Sequence, residues 1–209
     1  MSEINDGYTD ILNKIASSDP TPGGGSVAAL TLAHAHALAL MVSRLTLDRE
    51  KWADGHASAE DVIVRSEEGI AASIDMARAD AESFDRVMES FRLPRNNDDE
   101  IESRKKSIRA ATIGAARSPL KIAEGSLHLL ISIVELAKFG NSNALTDLAA
   151  SAELARSSFV IASMNVKINL DSIDGEECDL ISSELFAIEN NVNKHHAKII
   201  GIIDERLGW

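Results

Sequence analysis

The chain has 209 residues, 44% of them hydrophobic, and its 21 Lys and Arg against 33 Asp and Glu give a formal net charge of −12. Such a balance describes a globular protein that repels phosphate backbones and anionic lipid surfaces, so nucleic acid and membrane are set aside as partners and small molecules and proteins are kept. The length suits a single domain over residues 1–209, burying about 70% of its unfolded surface.

The opening residues, MSEINDGYTD, carry neither a basic segment nor an apolar run, so no secretory signal and a cytoplasmic address are expected. Only four prolines occur, at 20, 22, 94 and 119, and the segments between them are rich in Ala, Leu, Glu, Lys and Ile. The expected fold is all-α: a bundle of about seven long antiparallel helices near residues 4–16, 26–47, 58–91, 98–117, 120–139, 144–173 and 179–207. The second is long enough to cross a membrane, but His34, His36, Ser43 and Arg44 would be expensive in lipid and mark it as a buried core helix.

In the third helix Ile63, Ile70, Ile74, Ala77, Ala81, Phe84 and Met88 recur at steps of three, four and seven, which predicts a bundle seam. Glu60, Glu67, Glu68, Asp75 and Glu82 would then face water. In the sixth, Ser163, Asn165, Lys167 and Asn169 alternate with apolar residues as in a strand, yet the segment's length and the lack of a second strand-like run favour helix. Cys178, the only cysteine, excludes an internal disulfide and a cysteine-rich zinc site, and reads as a small buried side chain in a reducing interior.

Three features bear on chemistry. Gly23, Gly24 and Gly25 stand directly before Ser26, a candidate N-cap, and a strongly apolar helix. Such a loop either cradles an anionic or carbonyl group on free N–H groups or is a tight turn that lets helices pack closely, and the spacing alone leaves both open. No P-loop and no dinucleotide-binding glycine pattern is present. Asp80, three residues after Ala77 and four before Phe84, lies at the edge of the apolar seam, where partial desolvation would raise its pKa; an ion-paired surface aspartate is the alternative. Asn165 and Asn169 share a helix face, and with Asn141 and Asp147 they either aim at a ligand or satisfy a polar network between helices. His34 and His36 are two apart and His195 and His196 adjacent, so neither pair has the spacing of a helical metal site, and no GxSxG elbow occurs.

Taken together, PTPGGGSVAAL, DAESF, PLKIAE, GNSNALTDLAA and NVKINL, in that order over about residues 8–175, resemble the cyclodeaminase/cyclohydrolase family. This is the C-terminal domain of formiminotransferase-cyclodeaminase together with its stand-alone relatives. The resemblance implies an all-helical homodimer that acts on a tetrahydrofolate derivative, with no metal and no cofactor beyond the tetrahydrofolate substrate. It implies either hydrolysis of methenyltetrahydrofolate to formyltetrahydrofolate or closure of formiminotetrahydrofolate with loss of ammonia. By the same transfer Asp80 is the acid/base residue, Gly23, Gly24, Gly25 and Ser26 form part of the folate pocket, and Asn141, Asp147, Asn165 and Asn169 line it. Lys121 would meet a glutamyl carboxylate. The chain departs from the family at His34 and His36, where relatives carry small residues, and residues 179–209 match no motif. With no transferase part accompanying it, the cyclohydrolase is expected before the cyclodeaminase. A non-catalytic helical scaffold is the competing class, but it leaves the three glycines and Asp80 without a reason.

Overall fold

The computed structural model describes residues 7–209, and its helices fall where proline and glycine permit them. They are α1 (Tyr8–Ile15), α2 (Gly24–Leu47), α3 (His56–Phe91), α4 (Asp98–Ser132), the six-residue α5 (Val134–Phe139), α6 (Leu145–Leu170) and α7 (Glu176–Leu207). Short 3-10 turns at Glu50–Gly55 and Ser142–Ala144 complete the chain, and there is no strand among the described residues. The helix predicted to start at residue 4 therefore begins outside the described residues, and the alternating segment after Ser163 is helix.

Helices α2, α3, α4 and α6 form a four-helix bundle in cyclic order, each antiparallel to both neighbours. The register can be read from contacts: Ser26 bonds Ala77 across α2 and α3, Ser151 and Ser158 bond Ala35 and Ala28 across α6 and α2, and Ser126 bonds Ser158 across α4 and α6. On the outside α7 packs along α4 and α6. Buried residues of α2 through α7, among them Leu32, Leu129, Leu148 and Ile199, make one continuous core. Helix α2, the one described helix long and apolar enough to cross a membrane, runs through its middle.

Three sequence expectations change. The predicted seam of α3 is not its inner face: Ile74, Phe84 and Met88 are about two-fifths exposed. The inner stripe lies one residue earlier, through Ala59, Val62, Ser66, Gly69, Ser73, Met76, Asp80 and Ser83, buried or half-buried at the same steps of three and four. Small residues win that face because they let α2 and α3 approach closely, while the Ser73 and Ser83 hydroxyls bond the Gly69 and Asp80 carbonyls and Ser66 meets His36. The predicted acidic face of α3 is exposed.

Second, α4 runs straight through Pro119, so the two helices expected at 98–117 and 120–139 are one, and the break falls at Ile133. Proline removes the N–H that Ala115 would have received, and the Asn169 amide on α6 donates to that carbonyl at 3.0 Å instead. Third, α2 starts at Gly24 rather than Ser26, with Gly23 as its N-cap and no side chain of its own to close that end.

Candidate active site

The first turn of α2 meets α3 at Asp80. The Ser26 hydroxyl lies 3.0 Å from the Ala77 carbonyl and 3.2 Å from Asp80 Oδ2, and the Ser26 N–H also donates to the carboxylate. Asp80 thus does from a neighbouring helix what an N-cap side chain does locally, and the positive end of the α2 dipole favours its charge. Burial acts the other way and is the larger effect, holding the Asp80 carboxyl above the usual carboxylate range while the Ser26 bonds pull it down. The group is half-buried and able to gain or lose a proton.

The glycines have distinct duties here. A Cβ at Gly25 would stand 2.5 Å from both Cγ and Oδ2 of Asp80, so only glycine lets the carboxylate sit against the helix backbone. At Gly24 the same atom would meet Asn165 Nδ2 at 3.5 Å and Ile161 Cγ2 at 3.9 Å, both ordinary contacts. Asn165 Nδ2 donates to Ile161 at 2.9 Å, and its side-chain oxygen Oδ1 takes no bond from the described residues. Gly24 itself is exposed, so the loop, Asp80 and Asn165 bound one open corner of the bundle.

A groove of about 740 Å³ lies between α3 and α4, floored by Leu32 and His36 of α2. Met76, one turn before Asp80, lines its near end. Gly125 of α4 sits over Leu32, which places Lys121 one turn nearer the Asp80 end, exposed and lining the groove. At the floor His36 is 6% exposed, with Nδ1 3.3 Å from the Ser66 hydroxyl. Burial lowers its pKa to about 4, so it is neutral near pH 7. Gly69 opens the space for the ring, since a Cβ there would stand 2.5 Å from Nε2.

The sequence-predicted residues divide accordingly. Gly23, Gly24, Gly25, Ser26, Asp80 and Asn165 come together, while Lys121 lines the separate groove between α3 and α4. Asn169 sits one turn beyond Asn165, committed to Ala115 and Asn165 carbonyls. Asn141 is not part of this corner. It bonds Leu45 and Thr46 at the other end of α2, about 30 Å away by helical rise, and its own oxygen closes the following turn at Asn143. Asp147, in the first turn of α6, stands level with Ala39, about 20 Å along α2 from Ser26. His36, weighed in the sequence only as a metal ligand and as a departure from the family, lines the groove floor. The signal was Gly69 and Ser66, three apart on the inner stripe of α3, which leave a hollow for one large side chain from α2.

The family described as Formiminotransferase-cyclodeaminase matches residues 7–183. The chain belongs to this family. A methenyltetrahydrofolate cyclohydrolase of Methylorubrum extorquens is 32% identical over 170 residues, covering 81% of this chain and 82% of that one. The mouse formimidoyltransferase-cyclodeaminase is 28% identical over 196 residues, 93% of this chain but 36% of the longer relative. The crystal structure of a formiminotetrahydrofolate cyclodeaminase from Thermotoga maritima superposes with a TM-score of 0.85 at 27% identity, covering 96% of both chains. The cyclodeaminase family match thus includes every residue of the Asp80 corner and of the groove.

Proposed function

We propose that this cyclodeaminase-family protein is a folate one-carbon enzyme, a methenyltetrahydrofolate cyclohydrolase, with Asp80 as its acid/base residue. The observation that carries the reading is the Asp80 carboxyl, raised in pKa by burial and held by Ser26 at an open corner lined by Gly24 and Asn165. The similarity to the M. extorquens cyclohydrolase supports the hydrolytic direction.

Methenyltetrahydrofolate is a cation whose bridging carbon joins N5 and N10. Ionised Asp80 accepts a proton from water as its oxygen bonds to that carbon, giving a neutral hydroxyl adduct. As the carbon–N5 bond breaks, Asp80 returns its proton to N5 and the hydroxyl proton leaves to solvent, so the carbon remains on N10 as a formyl group. Before attack the carboxylate also stabilises the cation. Proton transfer of this kind is worth about 10²–10⁴ in rate. The second reading is the formiminotetrahydrofolate cyclodeaminase, favoured by the T. maritima structure's likeness over nearly the whole chain. There Asp80 would carry the N10 proton to the departing ammonia.

Lys121 offers its ammonium to a glutamyl carboxylate. No metal and no cofactor beyond the tetrahydrofolate substrate belong to the proposal, which includes a cytoplasmic homodimer without nucleic-acid or membrane partners. The half-exposed Ile74, Phe84, Met88 and Phe91 on α3 are the surface a second copy would bury, and sedimentation of the purified chain tests it. The central test follows the absorbance decay of methenyltetrahydrofolate, and ammonia release from formiminotetrahydrofolate, for wild type and Asp80→Asn. The variant should fold, bind folate and lose at least about 100-fold in turnover; wild-type rates would remove Asp80 from the mechanism.

A further inference from the structure

Two helices outrun the bundle. Asp80 sits level with the first turn of α2, and α3 continues eleven residues beyond it to Phe91, about 16 Å by helical rise. On α4 the level is set by Ala115 and Arg117, which meet Asn169 at the end of α6 and Glu177 at the start of α7, so residues 98–108 run on past both. From residue 81 to 108 only Ser83 and Ser90 are buried, and this arm has no core of its own. Its bare side is the one that α2 covers lower down. Asp80, Phe84, Val87 and Phe91 recur at steps of four, three and four and so continue the stripe that faces α2, but α2 has ended. Phe84, Met88 and Phe91 are left about two-fifths to one-half exposed. Arg104 lies over the Phe91 ring at 5.6 Å and donates to the Phe91 carbonyl, which holds this last turn in place.

A short apolar stripe on a helix is buried by its own copy across a two-fold axis when the flanking charges suit that symmetry. Here they do. In an antiparallel pair centred on the stripe, Phe84 lies level with the partner's Phe91, and Asp85 stands within one residue of the level of the partner's Arg92. Asp85 and Arg92 are seven apart on one flank, both exposed and neither ion-paired among the described residues, so the symmetry brings opposite charges together twice. The partner's α3 then runs in the direction of α2 and ends where α2 begins. Its tip loop, residues 92–97, faces Gly24, and the partner's Arg95 comes level with Asp80. No cation of its own subunit acts on the Asp80 carboxyl, which answers only to burial and Ser26.

Resting on the reading of the protein as a folate enzyme, we propose that the working unit is two copies joined arm to arm, in which the tip loop of each closes the Asp80 corner of the other and the partner's Arg95 binds a substrate carboxylate. A guanidinium suits that group because it holds a carboxylate on two parallel N–H bonds. The glutamyl tail carries two carboxylates, so the partner's Arg95 acts beside Lys121 rather than in its place. The open corner of one copy is half of a site.

The pairing is tested without any assay of turnover. Sedimentation should show a dimer for wild type and one about 10-fold weaker at low salt for Asp85→Arg, since two attractions become two repulsions. Asp85→Arg with Arg92→Asp should regain the wild-type affinity, because each chain then carries both halves of the reversed pair. A wild-type monomer, or a double variant no tighter than Asp85→Arg, overturns the inference. The site is tested with Asp80→Asn and Arg95→Glu chains that bear different tags and are co-expressed and purified as the mixed dimer. Each parent homodimer should lose at least about 10-fold in kcat/KM for methenyltetrahydrofolate, whereas the mixed dimer keeps one intact site and should show about half the wild-type activity. A mixed dimer no faster than the mean of its parents, or an Arg95→Glu homodimer with wild-type kinetics, also overturns the inference. Rescue of the dimer by the reversed pair with no turnover in wild type supports the arm pairing and overturns the folate reading, and with it the carboxylate given to Arg95.

Discussion

Replacing Gly25 by alanine separates the positioning of Asp80 from the presence of Asp80. The new methyl would stand 2.5 Å from the carboxyl carbon and from Oδ2, closer than any non-bonded contact tolerates, so the carboxylate must leave the α2 terminus. With it go the two Ser26 bonds, a charged pair of contacts worth about 1.5–3 kcal/mol, while alanine's helix propensity returns up to about 1 kcal/mol. The net loss is therefore about 0.5–3 kcal/mol, or a melting point lower by roughly 1–12 °C for a chain of this size. Turnover should fall far more, by about 10²–10⁴, because a displaced base loses the whole proton-transfer advantage. Gly24→Ala is the control: its methyl makes only ordinary contacts, with Asn165 Nδ2 at 3.5 Å and Ile161 Cγ2 at 3.9 Å, so activity should stay within a few-fold and stability should hold or rise slightly. Melting curves and methenyltetrahydrofolate decay on the two purified variants decide the matter. A Gly25→Ala protein with near wild-type turnover would refute the argument that this glycine exists to seat the carboxylate.

Activity should decline as pH falls through the Asp80 pKa, on an acid limb above the ordinary carboxylate value, because burial raises it and the base must be ionised; a pH profile of kcat/KM reads this directly. The linked stability has the opposite sense. The folded state holds the Asp80 proton more tightly than the unfolded one, so this group's contribution diminishes as pH rises through the window, a slope that Asp80→Asn should lack in urea titrations. His36 gives the reverse sign: the unfolded ring takes its proton near 6.5 and the folded one near 4, so stability is lost as pH drops across that interval, by roughly 3 kcal/mol in full, and His36→Phe should flatten that part of the curve. Asn169→Ala should cost about 1–3 kcal/mol by orphaning the Ala115 carbonyl, and the cost should shrink in a Pro119→Ala background that restores the N–H, as a double-mutant cycle of urea midpoints would read.

Much of the architecture was legible because helix length depends on local residues. Proline-free stretches gave α2, α3, α6 and α7 within a few residues, and the DAESF and PTPGGGS motifs pointed to the corner where Ser26 and Asp80 meet. What failed was non-local. Pro119 read as a stop because the amide that satisfies Ala115 comes from Asn169, 54 residues from its acceptor. The large apolar residues of α3 read as its inner face because hydrophobic periodicity weighs size, whereas the interface with α2 is set by how little Ser66, Gly69 and Ser73 occupy. Asn141 and Asp147 joined the candidate set by residue type, and only the antiparallel register of α2 and α6 shows that they stand at the other end of the bundle. His36 was weighed as a metal ligand and set aside; its cavity is visible only once α3 and α4 are laid over it.

Gly23 leaves the start of α2 without a cap of its own, and this has a consequence for anyone who would improve the protein. Routine stabilisation would place Asp or Ser there, to occupy the free N–H groups of the first turn. That newcomer would compete for the Ser26 N–H that now anchors Asp80, and a carboxylate at position 23 would add a like charge beside the Asp80 carboxyl. The helix end is left unfinished in its own sequence so that a residue 54 positions from Ser26 can finish it while remaining free to exchange a proton. On the proposed mechanism, fold and reaction draw on the same pair of oxygens, and a gain in one at this corner is a withdrawal from the other.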